Sequence, residues 1–182
     1  QWLEAINNEK SAMATHNTYT TAPLWKGRTV KAKLVFRVTR EADNSLKYKA
    51  RLVAKGYTER YGVDFFTTFA PTVATRSLHI PLHLAGSEDL EMRHLDVAGA
   101  YLEAPLDTVI HMVLPSDYTG GEPIIVLLNK SIYGLRQSGE LWNKRLHGIL
   151  TDLGFSRSTC DPCVYVSRDA TGQPILYLCI YV

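Results

Sequence analysis

Lys33-Leu34-Val35-Phe36-Arg37-Val38-Thr39-Arg40 and Lys47-Tyr48-Lys49-Ala50-Arg51-Leu52-Val53-Ala54-Lys55 decide how this chain is read. The first run reads as a strand and the second as its return. Glu41-Ala42-Asp43-Asn44-Ser45 between them supplies turn chemistry, so the spacing predicts a β-hairpin over 33–55, closed by Gly56. Strand alternation puts residues 47, 49 and 51 on one face, with 53 and 55 continuing it. Three basic side chains thereby converge on one side.

The charge around this hairpin is lopsided. Residues 26–60 hold eleven bases against three acids (Glu41, Asp43 and Glu59), a local charge of +8. The whole chain carries a formal +2, which leaves −6 for the remainder. A basic block on a nearly neutral protein fits a polyanion contact, nucleic acid first among them. It equally fits a solvated hairpin whose lysines discourage edge pairing.

Outward from the hairpin, Trp2, Ala5, Ile6, Ala12 and Met13 fall near helical spacing, which predicts an amphipathic helix over 2–15 ended by Asn17. Asp64 to Pro71 reads as a loop carrying Phe65-Phe66. Residues 76–86 have helical composition, but Pro81 should break or kink an interior turn at a cost of about 3 kcal/mol. The runs 94–97, 109–114 and 124–128 read as strands. Trp142, Leu146, Ile149, Leu150 and Leu153 mark a helix with Gly154 as its stop. The runs 163–166 and 175–182 close as a strand pair around the turn 169–172. Helix, hairpin, helix, strands, helix and hairpin in that order define an α+β fold.

With 182 residues, 46% apolar and 21% charged, the chain is neither disordered, collagenous nor a disulfide miniprotein. No apolar run approaches the roughly 20 residues that span a bilayer. Three cysteines, an odd number with no secretory leader ahead of them, point to a reducing intracellular setting. The start at Gln1 and the stop inside the apolar run 174–182 read as two cut ends of something longer.

Few residues offer chemistry. Asp96 stands inside the apolar run Leu95-Asp96-Val97-Ala98-Gly99-Ala100-Tyr101. A carboxylate there needs hydrogen bonds, a cation, or exposure at a strand end. The ordinary alternative is a cap for a helix over 98–102. Cys160-Asp161-Pro162-Cys163 is a lone CxxC with only His147 near it, short of the four ligands of a structural zinc, so free thiols are expected. His79 and His83 are separated by Pro81. Neither Ser87 nor Ser138 sits in a nucleophile elbow, and there is no glycine-rich phosphate loop. The residues alone offer a nucleic-acid hint, a conspicuous Asp and no complete active site.

Three segments in order resemble the reverse transcriptase of copia-type LTR retrotransposon polyproteins. They are Tyr48-Lys49-Ala50-Arg51-Leu52-Val53-Ala54-Lys55-Gly56-Tyr57 with Gly62-Val63-Asp64-Phe65, then Leu95-Asp96-Val97-Ala98-Gly99-Ala100-Tyr101-Leu102, then Lys130-Ser131-Ile132-Tyr133-Gly134-Leu135-Arg136-Gln137 with Leu141-Trp142. The resemblance implies right-hand polymerase fingers and a partial palm, with the basic hairpin and an antiparallel palm sheet packed on helices. It places fingers in 1–92 and partial palm in 93–182. Such enzymes extend a primer on RNA or DNA by two-metal Mg²⁺ catalysis. Asp96 matches the first metal-holding carboxylate, and the Val97 carbonyl a secondary metal ligand. Tyr101 matches a ring under the nucleotide sugar, with a plain core aromatic as the alternative. Gln137 matches a contact to incoming nucleotide and templating base, while Lys49 and Arg51 belong to the hairpin that grips triphosphate and template backbone.

The implied partners are primer–template, deoxynucleoside triphosphate and the remainder of the polyprotein, with no membrane. The implied location is intracellular, in cytoplasmic virus-like particles or the nucleus. The chain also departs from the family. There the strand around Leu178–Val182 runs into an Asp-Asp pair, whereas here one carboxylate of three is present. The resemblance therefore implies a polypeptide inactive by itself. The alternatives are a non-catalytic nucleic-acid-binding remnant, a pseudogene product, or a domain whose hairpin binds acidic protein.

Overall fold

The computed structural model describes residues 1–181. Its elements are α1 (Trp2–Thr15), β1 (Tyr19–Thr21), β2 (Val30–Arg40), β3 (Leu46–Ala54), α2 (Thr75–Ser87), α3 (Ala100–Glu103), β4 (His111–Leu114) and α4 (Ser116–Thr119). They continue with β5 (Ile124–Leu128), α5 (Ser138–Asp152), β6 (Ser156–Arg157), β7 (Val164–Arg168) and β8 (Pro174–Cys179). The mixture is α+β. The chain forms two compact units, one from residues 1–68 and 99–142, the other from 69–98 and 143–182.

The first unit is built on a five-stranded sheet in the order β1-β5-β4-β2-β3. Strands β2 and β4 run parallel; the other neighbours are antiparallel. The expected hairpin is β2–β3, with Arg37 opposite Lys49 and Val35 opposite Arg51. Its alternation sorts the faces. Val30, Ala32 and Leu34 on β2, and Ala50, Leu52 and Ala54 on β3, are buried with Met112, Leu114, Val126 and Leu128. Helix α1 packs on this inner face through Ala5 and Met13, and Trp2 meets Phe36 and Tyr48 edge-on at 5.0 and 4.7 Å. The Glu9 carboxylate accepts the Leu52 N–H at 2.8 Å. This outward amide of β3, the last strand of the sheet, thus finds its partner on a helix.

In the second unit a three-stranded antiparallel sheet, β6-β7-β8, carries Cys163, Tyr165 and Ile180 into a core with Leu146, Leu150 and Phe155 of the α5 region. Asp161 ties the unit together, accepting the amides of Cys163 at 2.8 Å and Ala74 at 2.9 Å. Helix α5 ends as expected. Gly154 takes φ +85°, and the Phe155 N–H returns to the Leu150 carbonyl at 2.9 Å. The three cysteines are free thiols, and burial pushes those of Cys163 and Cys179 up.

Several expectations need correction. Helix α2 runs unbroken through Pro81, between a first bond from Leu78 N–H to Ala74 O and a last from Glu88 N–H to Leu84 O. The proline removes one donor without ending the helix. Residues 94–97 are not a strand: among the described residues they pair with nothing, and Leu95 is 79% exposed. Alternation alone makes no strand where no neighbour completes the ladder. Asp96 does not cap α3, whose N-cap is Gly99 at φ +69° with no side-chain cap. The strand expected over 109–114 begins only at His111, and Val109 is exposed. Strands β1 and β6 were not expected at all. Val182, the last residue of the expected terminal strand, lies outside the described residues. Among the described residues no helix is long and apolar enough to cross a membrane.

Candidate nucleic-acid interface

The outer face of the hairpin follows from its register. With the even-numbered residues of β3 turned inward, Lys47, Lys49 and Arg51 are exposed on the opposite side. Their β2 counterparts at odd positions are Lys31, Lys33, Val35, Arg37 and Thr39. Six bases and no acid therefore share one face. Among the described residues its one ion pair reaches out of the strands, from Lys47 to Glu41 of the turn at 3.3 Å. Like charges so close repel one another, and a polyanion relieves that repulsion.

Two of the expected nucleotide-binding residues meet on a third. The Arg51 guanidinium lies 4.9 Å over the Tyr133 ring, and the Tyr101 ring meets Tyr133 edge-on at 5.2 Å and 61°. Arg51 and Tyr101 thus share the Tyr133 ring, while Lys49 is exposed on the basic face. Tyr133 lies within residues 130–137 and carries no expected role of its own. Its only signal was an aromatic between two small or β-branched residues.

Residues 131–137 hold this arrangement by close backbone contact. The Ala54 N–H donates to the Tyr133 carbonyl at 2.8 Å. Gly134 takes φ +90° directly on Ala54, and a Cβ there would overlap the Ala54 carbonyl oxygen and come within 2.6 Å of Val53 Cγ1. Gly56 is pressed against the Gly134 carbonyl oxygen in the same way. Arg136 then adds three contacts. Its Nε donates to Gly56 O at 3.0 Å, its backbone N–H to Glu59 Oε2 at 2.9 Å, and its guanidinium lies 5.4 Å over Phe65. Neighbouring Asp64 pairs with Arg28 and accepts the Arg60 N–H at 2.6 Å.

Gln137 is placed inside this junction, 2% exposed, its amide nitrogen on the Asp64 carbonyl at 3.0 Å. Among the described residues, its Oε1 and Glu59 Oε1 are buried oxygens without a hydrogen-bond partner. Burial pushes the Glu59 carboxyl up, against the opposing pull of the Arg136 N–H and the Gln137 amide. An acid whose folded pKa is raised adds stability below its unfolded pKa and loses it as pH rises through the folded value. Glu59→Gln should therefore melt higher than the parent chain at about pH 7.5, by a few degrees, with the gap closing toward about pH 4. Thermal unfolding followed by circular dichroism across that range checks it. A gap that widens on acidification rejects the assignment.

Asp96 and Val97 lie in the second unit on an exposed stretch, where Asp96 makes no hydrogen bond or ion pair among the described residues. No group of three or more His, Cys, Asp or Glu side chains able to hold a metal occurs among those residues. One carboxylate and one carbonyl are hard oxygen donors of the right kind, but they fall short of a two-ion centre.

A mixed sheet bearing a basic face without acids, with Arg51 and Tyr101 gathered on Tyr133, has the charge to meet a polyanion. Residues 16–182 match the family model described as reverse transcriptase (RNA-dependent DNA polymerase), and the chain belongs to that family. Within it, the chain is a reverse transcriptase fragment of the copia type. It is 36% identical over its whole length to the retrovirus-related Pol polyprotein from transposon TNT 1-94 of Nicotiana tabacum, covering 14% of that protein. It is 32% identical to the Pol polyprotein from transposon RE2 of Arabidopsis thaliana, covering 13%, and 25% identical to the Ty1-DR5 Gag-Pol polyprotein of Saccharomyces cerevisiae, covering 10%. In every case the chain spans a small part of the relative.

Proposed function

We propose that this chain supplies the fingers, within 1–92, and part of the palm, within 93–182, of an RNA-directed DNA polymerase acting inside a larger polyprotein. The basic hairpin grips the sugar-phosphate backbone of primer–template, and Lys49 and Arg51 face the phosphates of template or incoming deoxynucleoside triphosphate. Tyr101, steadied on Tyr133, sets the floor beneath the nucleotide sugar. Gln137, whose amide holds the Asp64 carbonyl, braces that loop from within residues 131–137. Asp96 and the Val97 carbonyl are the donors offered to Mg²⁺, which when bound stabilises charge on the transferring phosphate. One carboxylate does not complete that centre, so residues 1–182 alone bind nucleic acid without extending a primer. The incomplete donor set also favours a second reading, a nucleic-acid-binding remnant without chemistry.

The acid-free basic face carries the proposal, and the salt dependence of binding tests it. Anisotropy of labelled primer–template against salt should fall with a log–log slope of about −5 if all six bases meet phosphates. A slope near zero sinks the nucleic-acid reading. Primer extension with Mg²⁺ by residues 1–182 alone would refute the claim of inactivity. Extension by a longer polyprotein containing this chain, lost on Asp96→Asn, separates polymerase from remnant.

A further inference from the structure

The register that exposes the basic hairpin also fixes what shares its face. Lys31 of β2 is opposite Val113 of the parallel strand β4, so Val113 and His111 project on the side that bears the bases, away from buried Met112 and Leu114. The Trp25 ring lies flat on His111, with centroids 3.7 Å apart and planes 3° from parallel. Trp25 is nonetheless 40% exposed. A cleft of about 410 Å³, lined by Ala22, Pro23, Leu24, Trp25 and His111, opens beside the stack.

The ring is set in place before any ligand arrives. Its indole N–H donates to the Arg28 carbonyl at 3.1 Å. The Trp25 backbone N–H returns to Ala22 O at 3.1 Å, and the Ala22 N–H is held by the Ile125 carbonyl of β5 at 2.9 Å. Gly27 lies so close that a Cβ there would run into the six-membered ring. Lys26 follows the tryptophan directly, and Arg28, three positions on, pairs with Asp64. A fixed aromatic plane beside a small apolar cleft, on a face lined with bases, fits an unpaired nucleobase whose phosphates follow the positive charge. A ring already in place costs little further ordering on binding.

We propose that Trp25, stacked on His111, is a platform for one unpaired base of a single-stranded polynucleotide that runs onto the basic hairpin. This rests on the polyanion reading of the hairpin and adds to it a site for a base. The ligand is an unpaired base on either sugar, so oligo(dT) and oligo(rU) are both used as probes. Binding of each, and of a blunt duplex of equal length, is measured by anisotropy for the parent chain, Trp25→Leu, Trp25→Phe and Gly27→Ala. A second arm uses single strands carrying 5-iodouracil, with the photocrosslinked peptide mapped.

Trp25→Leu should weaken single-strand binding about tenfold, the worth of one stacked base. Duplex binding should stay within twofold. Trp25→Phe should recover most of the loss, and Gly27→Ala, which keeps every ring atom but displaces the ring, should behave like Trp25→Leu. The crosslink should map to Trp25 or His111. Equal single-strand binding by parent and Trp25→Leu, both folded by circular dichroism, overturns the proposal while leaving the hairpin reading intact. No binding of either probe by the parent chain removes both. Self-association of the parent chain that disappears in Trp25→Leu, with oligonucleotide binding unchanged, assigns the cleft to a second copy and overturns the proposal too. Should Trp25→Leu fail to fold, the pair Trp25→Phe and Gly27→Ala decides: equal single-strand binding by the two rejects the platform.

Discussion

Gly134→Ala should destabilise the first unit by about 4 kcal/mol in denaturant titration. Two costs add. The φ of +90° strains any residue with a Cβ, by about 1–3 kcal/mol. The new methyl must also share space with the Ala54 carbonyl oxygen, which belongs to a strand backbone and has nowhere to go. Most globular domains have only about 5–15 kcal/mol in all, so one methyl removes a large share. The control is Gly154→Ala, which has a similar φ of +85° and open space around the site, and should lose only the strain. A Gly134→Ala chain as stable as the Gly154→Ala chain would mean that the hairpin does not dock on residues 131–137.

The second large effect lies on the basic face. Lys33→Glu, Arg37→Glu and Lys49→Glu together should weaken primer–template binding by on the order of 10²–10³-fold at low salt, and reduce the log–log salt slope by about three. These three positions are exposed, and no ion pair holds any of them among the described residues, so the folded state should survive the exchange. Arg51 is left in place because its guanidinium rests on Tyr133. Neutral Gln at the same positions should give a smaller loss with a similar change of slope. Binding that falls without any change in slope would place the phosphates elsewhere.

What was legible in the chain, and what was not, divides along one line. Helix α1, the β2–β3 hairpin, β5, helix α5 and the β7–β8 pair each carry their own periodicity and stop signals, and each forms within a residue or a few of its expected bounds. Strand β1 has three residues and exists only because Tyr19 pairs with Leu128 across the unit, something no local pattern encodes. Residues 94–97 show the reverse: the alternation is there, but the partner is not. Pro81 does not break helix α2, since a helix held by its remaining bonds tolerates one missing donor. Glycine pairs such as Gly56 and Gly134 are silent in sequence because the need for them arises between segments 78 positions apart. The basic face was readable from alternation and charge counting. Its arginine and tyrosine were found through family motifs, and their shared ring, Tyr133, only through the fold.

The bond between Glu9 and the Leu52 amide has a use of its own. Amides on an outermost strand normally trade their hydrogens with solvent quickly, but this one is shielded by a side chain borrowed from a helix. Its deuterium uptake thus becomes a clock for the seating of α1, readable in the parent chain without any mutation or label.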